Sequence, residues 1–315
     1  MQILIWTAYL AVSIFVLVRG ADLFVDGAKK IGFSMGMSPF VVGVLIVGLG
    51  TSLPELASSV AGVLSGVPEI VIANAVGSNI TNILLIVGII ATFGGTIIIK
   101  QDLLKSELPI FLIATVHFTA AVYDGVVDRL EAMLLVGTFV AYLWYLFVEA
   151  KKEGDISSVA KKSSSSESML KASALVVFGL AGVLIGANFT VENAVNIATA
   201  FAVPIGLVSI AAIAIGTSLP ELFVSIQAMR SGDADLAVGN IFGSNAFNML
   251  IVVGLPALIM PLPADAIVMS LGLAIMVAAS VIFFVSGLAR QIMRWEGAMM
   301  LLFFVFFLAK LVAFV

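Results

Sequence analysis

Residues 1–18 of this chain contain no charged side chain, and the same is true of residues 31–54, 70–99, 236–264 and 266–289. Each of these stretches is about as long as the roughly 20 residues that a transmembrane helix needs. Shorter apolar windows lie at 108–123, 132–148, 172–191, 193–220 and 297–315, the last of them with Lys310 as its one charge. The pattern predicts an all-α integral membrane protein with ten transmembrane helices.

The composition excludes a soluble domain. Hydrophobic residues make up 62% of the chain and charged residues 11%, whereas soluble domains carry about 25% charged residues. The first apolar stretch has neither a basic segment before it nor an evident cleavage site, so it predicts a retained helix rather than a signal peptide. The chain contains no cysteine, which excludes disulfides and thiolate metal sites. We therefore expect a multi-pass protein of the cell membrane.

The basic residues predict the orientation of the chain, because loops rich in Lys and Arg stay on the cytoplasmic side. Twelve of the 15 Lys and Arg residues follow odd-numbered spans. They are Lys29, Lys30, Lys100, Lys105, Lys151, Lys152, Lys161, Lys162, Lys171, Arg230, Arg290 and Arg294. Both termini are therefore predicted to lie outside.

An internal repeat divides the chain in two. The sequence Gly-Thr-Ser-Leu-Pro-Glu-Leu occupies residues 50–56 and returns unchanged at 216–222, which is 166 positions later. At the same offset, Asn74, Gly77, Ser78, Asn79 and Asn82 return as Asn240, Gly243, Ser244, Asn245 and Asn248. Each copy holds five predicted spans, an odd number, so the second copy should enter the membrane from the opposite side. We expect a five-helix repeat at 1–148, a Ser- and Lys-rich cytoplasmic linker at 149–171, and an inverted five-helix repeat at 172–315.

The two copies of this motif predict interrupted helices with oxygen ligands at the break. Pro54 and Pro220 lie in the middle of a span and have no N–H to donate to the carbonyl four residues earlier. In lipid, such a break persists only where protein, water or an ion satisfies the freed groups. The motif places the following side-chain oxygens beside the breaks: Thr51, Ser52 and Glu55 in the first copy, and Thr217, Ser218 and Glu221 in the second. Hard oxygen ligands without His or Cys suit Na⁺, Ca²⁺ or Mg²⁺.

A second set of polar residues lies on the next span of each copy. Asn74, Ser78 and Asn82 follow one another at intervals of four residues, and so do Asn240, Ser244 and Asn248. This spacing puts each set on one face of a helix. Their oxygens can complete a coordination shell around an ion that the two glutamates attract. The alternative, favoured for Asn74 or Ser78 taken alone, is hydrogen bonding that only holds membrane helices together.

Two further polar features have structural interpretations. His117 is the only histidine, and we expect a packed side chain rather than a proton relay. Arg19 and Asp22 are three residues apart in the first span, and we expect a helix-surface ion pair.

Taken together, the paired Gly-Thr-Ser-Leu-Pro-Glu and Gly-Ser-Asn motifs resemble the two alpha repeats of the calcium/cation antiporter superfamily, and most closely those of prokaryotic sodium/calcium exchangers. The resemblance covers nearly the whole chain. It implies ten helices, alternating access and a group of ion sites formed by helices 2, 3, 7 and 8. The ligands that it implies are Thr51, Ser52, Glu55, Ser78, Asn82, Thr217, Ser218, Glu221, Ser244 and Asn248.

The resemblance also suggests three sodium ions per calcium ion, without fixing the stoichiometry of this chain. Some prokaryotic and potassium-dependent members have Asp where this chain has Asn248, which argues against potassium dependence.

The expected function is exchange of Ca²⁺ for Na⁺ across the membrane. A proton/calcium antiporter on the same scaffold is the alternative, because a desolvated Glu55 or Glu221 can carry a proton. A passive cation channel fits less well, since broken helices that meet at the midplane are typical of alternating access. An enzyme is not expected, because Ser52 and Ser218 have no His near them in either motif. We expect no cofactor, nucleic acid or protein partner, only the transported ions and the lipid bilayer.

Overall fold

The computed structural model of the chain describes residues 2–103, 107–156, 166–201 and 216–314. These residues form ten helical segments, when a helix with a break or a π-helical turn inside it is counted once. They are α1 (Gln2–Ser34), α2 (Pro39–Leu64), α3 (Glu69–Gly94), α4 (Glu107–Val122), α5 (Arg129–Ile156), α6 (Ser166–Ala200), α7 (Leu219–Arg230), α8 (Ala234–Ile259), α9 (Val268–Ala289) and α10 (Arg294–Phe314). Eight of them are long and apolar enough to cross a membrane. The other two, α4 and α7, are shorter, with 16 and 12 described residues.

Three helices form the centre of the molecule. In the most apolar window of each helix, the share of buried residues is 89% for α8, 72% for α3 and 61% for α2. This share is only 17% for α1 and 22% for both α6 and α10. Because the peripheral helices are apolar on their exposed faces, those faces suit contact with lipid rather than water. The buried α2, α3 and α8 carry most of the motif residues.

Close backbone contact joins α2 to α8. A side chain at Gly243 would place its Cβ 2.5 Å from the carbonyl oxygen of Val44, and one at Gly48 would lie 2.9 Å from the backbone of Asn240 and Ser244. Only glycine leaves room for this approach. The contact brings the motif of the first copy beside the polar residues of the second.

The first helix is longer than its charge-free window. That window ends at residue 18, whereas α1 continues to Ser34, so Lys29 and Lys30 lie on the helix and not in a loop after it. Helical hydrogen bonding does not depend on hydrophobicity, and charged residues can extend a helix once they find partners. Arg19 and Asp22 form the expected pair, with N and O 3.8 Å apart, and Lys29 pairs with Asp233.

Helices also extend into the segment predicted as a linker. α5 continues to Ile156, and α6 begins at Ser166. Residues 157–165 lie outside the described part of the chain. The division into two five-helix units stays a prediction at this level.

Two short ribbons, which the all-α prediction did not include, connect the two halves of the sequence. The strands are β1 (Ile97–Ile98), β2 (Val126–Val127), β3 (Leu262–Pro263) and β4 (Gln291–Ile292). β1 pairs antiparallel with β4, and β2 pairs antiparallel with β3. Each ribbon therefore takes one strand from each half, and the strands are too short to be visible in a hydropathy pattern.

Polar contacts surround the β1–β4 ribbon. Asp102 pairs with Arg290, and the backbone N–H of Lys100 donates to Asp235 at 2.8 Å. The end of α1 joins the same region through the Lys29–Asp233 pair. The end of α1 and the connections α3–α4, α7–α8 and α9–α10 thus lie together on one side of the molecule.

His117 joins α4 to α5. Its Nδ1 atom lies 2.9 Å from Oγ1 of Thr138, and the side chain is half-buried. This is the packed side chain expected from the sequence.

Candidate cation site

The two motif copies break their helices in the same way. Ser52 has φ −88° and ψ 6°, and Ser218 has φ −89° and ψ 6°. In each case a new α-helical segment starts at the following Leu, with proline in its first turn, where a missing N–H is tolerated. The predicted interruptions are therefore present, and they lie two residues before Pro54 and Pro220.

This geometry places both glutamates at the start of a helical segment. Glu55 and Glu221 lie in the first turn after the break and are fully buried. The free N–H groups and the dipole of a helix N-terminus favour negative charge there.

Hydrogen bonds between the two halves bring most of the predicted ligands together. The Ser52 hydroxyl donates to Glu221 Oε1 at 2.8 Å, and the Ser244 hydroxyl approaches the same oxygen at 3.4 Å. The hydroxyls of Ser78 and Thr217 lie 3.3 Å apart, and those of Thr51 and Ser244 3.5 Å apart. The break of α2 thus faces α7 and α8, and the break of α7 faces α3.

The two predicted ligands that are asparagines lie in π-helical turns. Asn82 lies in the π-helical stretch Thr81–Val87 of α3, and Asn248 begins the stretch Asn248–Val252 of α8. The stretch containing Asn82 packs against α7, and the stretch containing Asn248 packs against the second half of α2. π-Helical turns of this kind are frequent at functional sites, and the simple four-residue spacing did not predict them.

Several oxygens at this place have no hydrogen-bond partner among the described residues, although they are buried. They are Glu55 Oε1 and Oε2, Glu221 Oε2, Asn82 Oδ1, Asn248 Oδ1 and Ser218 Oγ. Buried polar groups normally find partners, and an unpaired buried carboxylate is costly. A hard cation would satisfy this set of carboxylate, amide and hydroxyl oxygens.

The number of acidic ligands is small. Within the described residues, no group of three or more His, Cys, Asp or Glu side chains could hold a metal ion. Two carboxylates with neutral oxygens bind a divalent ion less tightly than a site with more charge. The set therefore suits an ion that must also be released.

The two halves of the site are not equivalent. Glu221 accepts a hydrogen bond from Ser52 and lies 3.4 Å from the Ser244 hydroxyl, whereas both oxygens of Glu55 and the hydroxyl of Ser218 lack partners among the described residues. The sequence motifs at 50–56 and 216–222 are identical. Within the described residues, identical motifs thus make different hydrogen bonds around the two glutamates.

The side-chain amides of Asn74 and Asn240 donate to the helical segments that carry the glutamates, and not to the unpaired oxygens. Asn240 Nδ2 donates to the backbone oxygen of Glu221 at 3.3 Å and to Ser225 at 2.9 Å. Asn74 Nδ2 makes the equivalent bonds to the backbone oxygen of Glu55 at 3.2 Å and to Ser59 at 3.1 Å. Their role in the polar stripe is therefore to fix the helical segments that carry the glutamates.

Two further asparagines, Asn245 and Asn79, adjoin the predicted ligands. Asn245 Oδ1 accepts a hydrogen bond from Asn82 Nδ2 at 3.2 Å, which joins α3 to α8. Asn79 is buried, and its Oδ1 has no partner among the described residues. Both were visible in the repeat but were not predicted as site residues. Their exact recurrence at the repeat offset was the signal that could have identified them.

Comparison with known proteins identifies the family of the chain. The family model for the sodium/calcium exchanger protein matches residues 5–148 and 171–313. The inner membrane protein YrbG of Escherichia coli is 36% identical over 89% of this chain and 88% of its own length. The sodium/calcium exchanger MaX1 of Methanosarcina acetivorans is 33% identical over 94% and 95% of the two chains.

A solved structure has the same fold. The sodium-calcium exchanger NCX_Mj, in its form soaked with zero Na⁺ and Ca²⁺, superposes with a TM-score of 0.84 at 29% identity, over 98% of this chain and 99% of the other. The family match covers most of the chain and includes every predicted ligand. The chain is therefore a multi-pass membrane protein that belongs to the sodium/calcium exchanger protein family.

Proposed function

We propose that this chain is a secondary active antiporter of the cell membrane that exchanges Ca²⁺ for Na⁺ by alternating access. The observation that carries the proposal is the set of buried, unpaired oxygens around Glu55 and Glu221 at two matching helix breaks. The relatives support the choice of ions, because MaX1 is a sodium/calcium exchanger. Structures of NCX_Mj soaked with Na⁺ and Ca²⁺ or Sr²⁺ describe extracellular ion exchange and induced binding-site occlusion.

The proposal includes ten transmembrane helices in two inverted repeats with both termini outside. Two observations support it. The end of α1 and the connections after α3, α7 and α9 share one side, and they hold the basic residues Lys29, Lys100 and Arg290. The strand pairing is also reciprocal. β1 of the first half pairs with β4 of the second, and β2 of the first half pairs with β3 of the second. Such reciprocal pairing is expected of inverted repeats.

Ions would reach the site from the side on which α1 begins and α6 ends. A cavity of about 310 Å³ lies between α2, α6 and α7, and Pro54 and Thr217 line it. A second cavity, of about 510 Å³, lies between α1 and α6 and includes Trp6 and Tyr9 near the start of the chain. This side is the predicted outer one, so the arrangement corresponds to an outward-facing state.

Proton coupling is the second candidate for this site. The specific observation in its favour is that Glu55 has no hydrogen-bond donor among the described residues, so a proton could replace a cation there. Sodium coupling requires several small oxygen pockets, and the hydroxyls of Thr51, Ser52, Thr217 and Ser218 supply them at both breaks.

We expect calcium uptake into proteoliposomes when an outward sodium gradient is imposed. A pH gradient of the same size should drive little uptake, because sodium, not a proton, is the coupling ion. The measurement is ⁴⁵Ca²⁺ accumulation against protein-free liposomes and against the same proteoliposomes with potassium in place of sodium.

The outcomes separate the candidates. Uptake driven by the pH gradient alone would establish the proton antiporter and contradict sodium coupling. Rapid calcium entry down its own gradient, without any counter-ion, would indicate a channel. A sodium-driven accumulation above equilibrium requires coupled exchange.

Asn240, which donates to the backbone of Glu221, gives a further prediction. Asn240→Ala removes the amide that donates to the backbone of Glu221 and to Ser225. It also removes one of the oxygens within hydrogen-bonding distance of the Thr51 hydroxyl, at 3.3 Å. Because a lost buried hydrogen bond costs about 1–3 kcal/mol, we expect the KM for Ca²⁺ to rise about tenfold while the maximal rate changes less. Asn74→Ala is the matched control in the half-exposed equivalent position, with a smaller effect. An unchanged KM in Asn240→Ala would remove Asn240 from the positioning of Glu221.

A further inference from the structure

One carboxylate outside the site described above faces the access cavity. The cavity between α2, α6 and α7 is lined on one side by Pro54, Thr217 and Pro220, which adjoin the two helix breaks. On the other side α6 contributes Asn188 and Glu192. Thr217 is a predicted ion ligand, so the cavity leads from Glu192 to the ion site.

Glu192 is the only charged residue among the described residues that line this cavity. It also lines the cavity between α1 and α6, so it lies where the two cavities adjoin. Within the described residues no hydrogen bond or ion pair is made by its carboxylate, and residues 202–215, which follow α6, include no Lys or Arg. Its charge is therefore not neutralised by a nearby basic residue of this segment or of the described structure.

We infer that Glu192, with the Asn188 amide and the Ser58 hydroxyl that line the same cavity, forms a capture site for hydrated Ca²⁺ on the way to Glu55. The inference rests on the proposed function. The cavity has room for a cation that keeps most of its water, and one carboxylate holds such an ion only weakly. A weak site raises the local cation concentration without trapping the ion, because a charge in a cleft with low-dielectric walls attracts counter-ions over several ångströms.

The test is the KM for Ca²⁺ of Glu192→Gln in right-side-out and inside-out membrane vesicles, with sodium-driven ⁴⁵Ca²⁺ uptake as the assay. At low ionic strength we expect the KM to rise about three- to tenfold in one vesicle orientation only, with an unchanged maximal rate. Choline chloride at about 0.3 M should remove most of the difference, because salt screens the attraction. Glu192→Asp, which keeps the charge, should behave like the wild type.

Glu69→Gln is the matched control. Glu69 is exposed in the first turn of α3 and does not line the cavity, so the same charge change there should leave the KM unaltered. An unchanged KM in Glu192→Gln, or an equal change in both vesicle orientations, would overturn the capture site while leaving the exchanger intact. A wild-type protein that exchanges no calcium would overturn the proposed function, and this inference with it.

Discussion

Glu55→Gln and Glu221→Gln are each expected to reduce calcium exchange by at least about 100-fold while the protein remains folded. Each change removes half of the formal negative charge that offsets the divalent ion. Removing one partner of a buried charge interaction costs about 3–5 kcal/mol, and this cost corresponds to the expected loss. The measurement is sodium-driven ⁴⁵Ca²⁺ uptake at equal amounts of reconstituted protein, with Glu69→Gln as the exposed control.

The unequal halves of the site predict different stabilities for these two variants. Without calcium, Glu55 is buried with both oxygens unpaired among the described residues, so a neutral amide should raise the thermal unfolding temperature in the presence of a chelator. Glu221 already accepts from Ser52 at 2.8 Å, and the corresponding gain should be smaller. Calcium should raise the thermal unfolding temperature of the wild type, because it binds to the folded state. The rise should be smaller in both variants.

The conservative changes are a further control. Glu55→Asp keeps the charge but shortens the side chain by one methylene, which disturbs a coordination distance of about 2.3–2.6 Å. Its exchange should be impaired less than that of Glu55→Gln. Calcium exchange at the wild-type rate in Glu55→Gln or Glu221→Gln would show that the residue is not a ligand.

The sequence was sufficient to predict the helix breaks and the residues beside them. Proline in the middle of an apolar span has a local physical consequence, and the break at Ser52 and Ser218 follows from it. The exact repeat of the motif likewise indicated which oxygens belong together. In the structure the Ser52 hydroxyl donates to Glu221, and the hydroxyls of Ser78 and Thr217 lie within hydrogen-bonding distance.

Features that depend on distant contacts could not be predicted in this way. The Lys29–Asp233 pair and the β1–β4 ribbon join residues from opposite halves of the chain, and no local pattern reveals them. The difference between Glu55 and Glu221 is likewise absent from two identical motifs. It lies in the hydrogen bonds that each carboxylate makes among the described residues, which depend on contacts between segments distant in the sequence.

Net charge at the site predicts which half of the transport cycle responds to voltage. Glu55 and Glu221, when ionised, contribute two negative charges, and the amides Asn82 and Asn248 contribute none. One Ca²⁺ neutralises this site, whereas three Na⁺, the number suggested by the family resemblance, leave one positive charge. Moving one charge across the membrane is worth about 2.3 kcal/mol per 100 mV. The sodium-loaded step should therefore depend on voltage and the calcium-loaded step should not.

Exchange of calcium for calcium, or calcium self-exchange, uses only the calcium-loaded step. Its rate should be independent of the membrane potential in the wild type, whereas sodium-driven calcium flux should change steeply with the membrane potential. Both fluxes can be measured in proteoliposomes clamped with valinomycin at several potentials, with separate controls for a direct effect of potassium. An inside-negative potential should speed calcium export. Voltage-independent sodium-driven exchange would mean two sodium ions per calcium ion and would contradict the charge assignment.

Asn248→Asp tests the same assignment from the other direction. Asn248 is buried, neither of its amide atoms has a partner among the described residues, and its turn packs against the segment that carries Glu55. A third ionised carboxylate would leave the calcium-loaded site with one negative charge, so calcium self-exchange should become voltage-dependent. Repulsion from the two glutamates can instead favour a proton or potassium on the new carboxylate, and self-exchange should then depend on pH or potassium. Self-exchange that responds to none of the three would show that residue 248 is not part of the ion site.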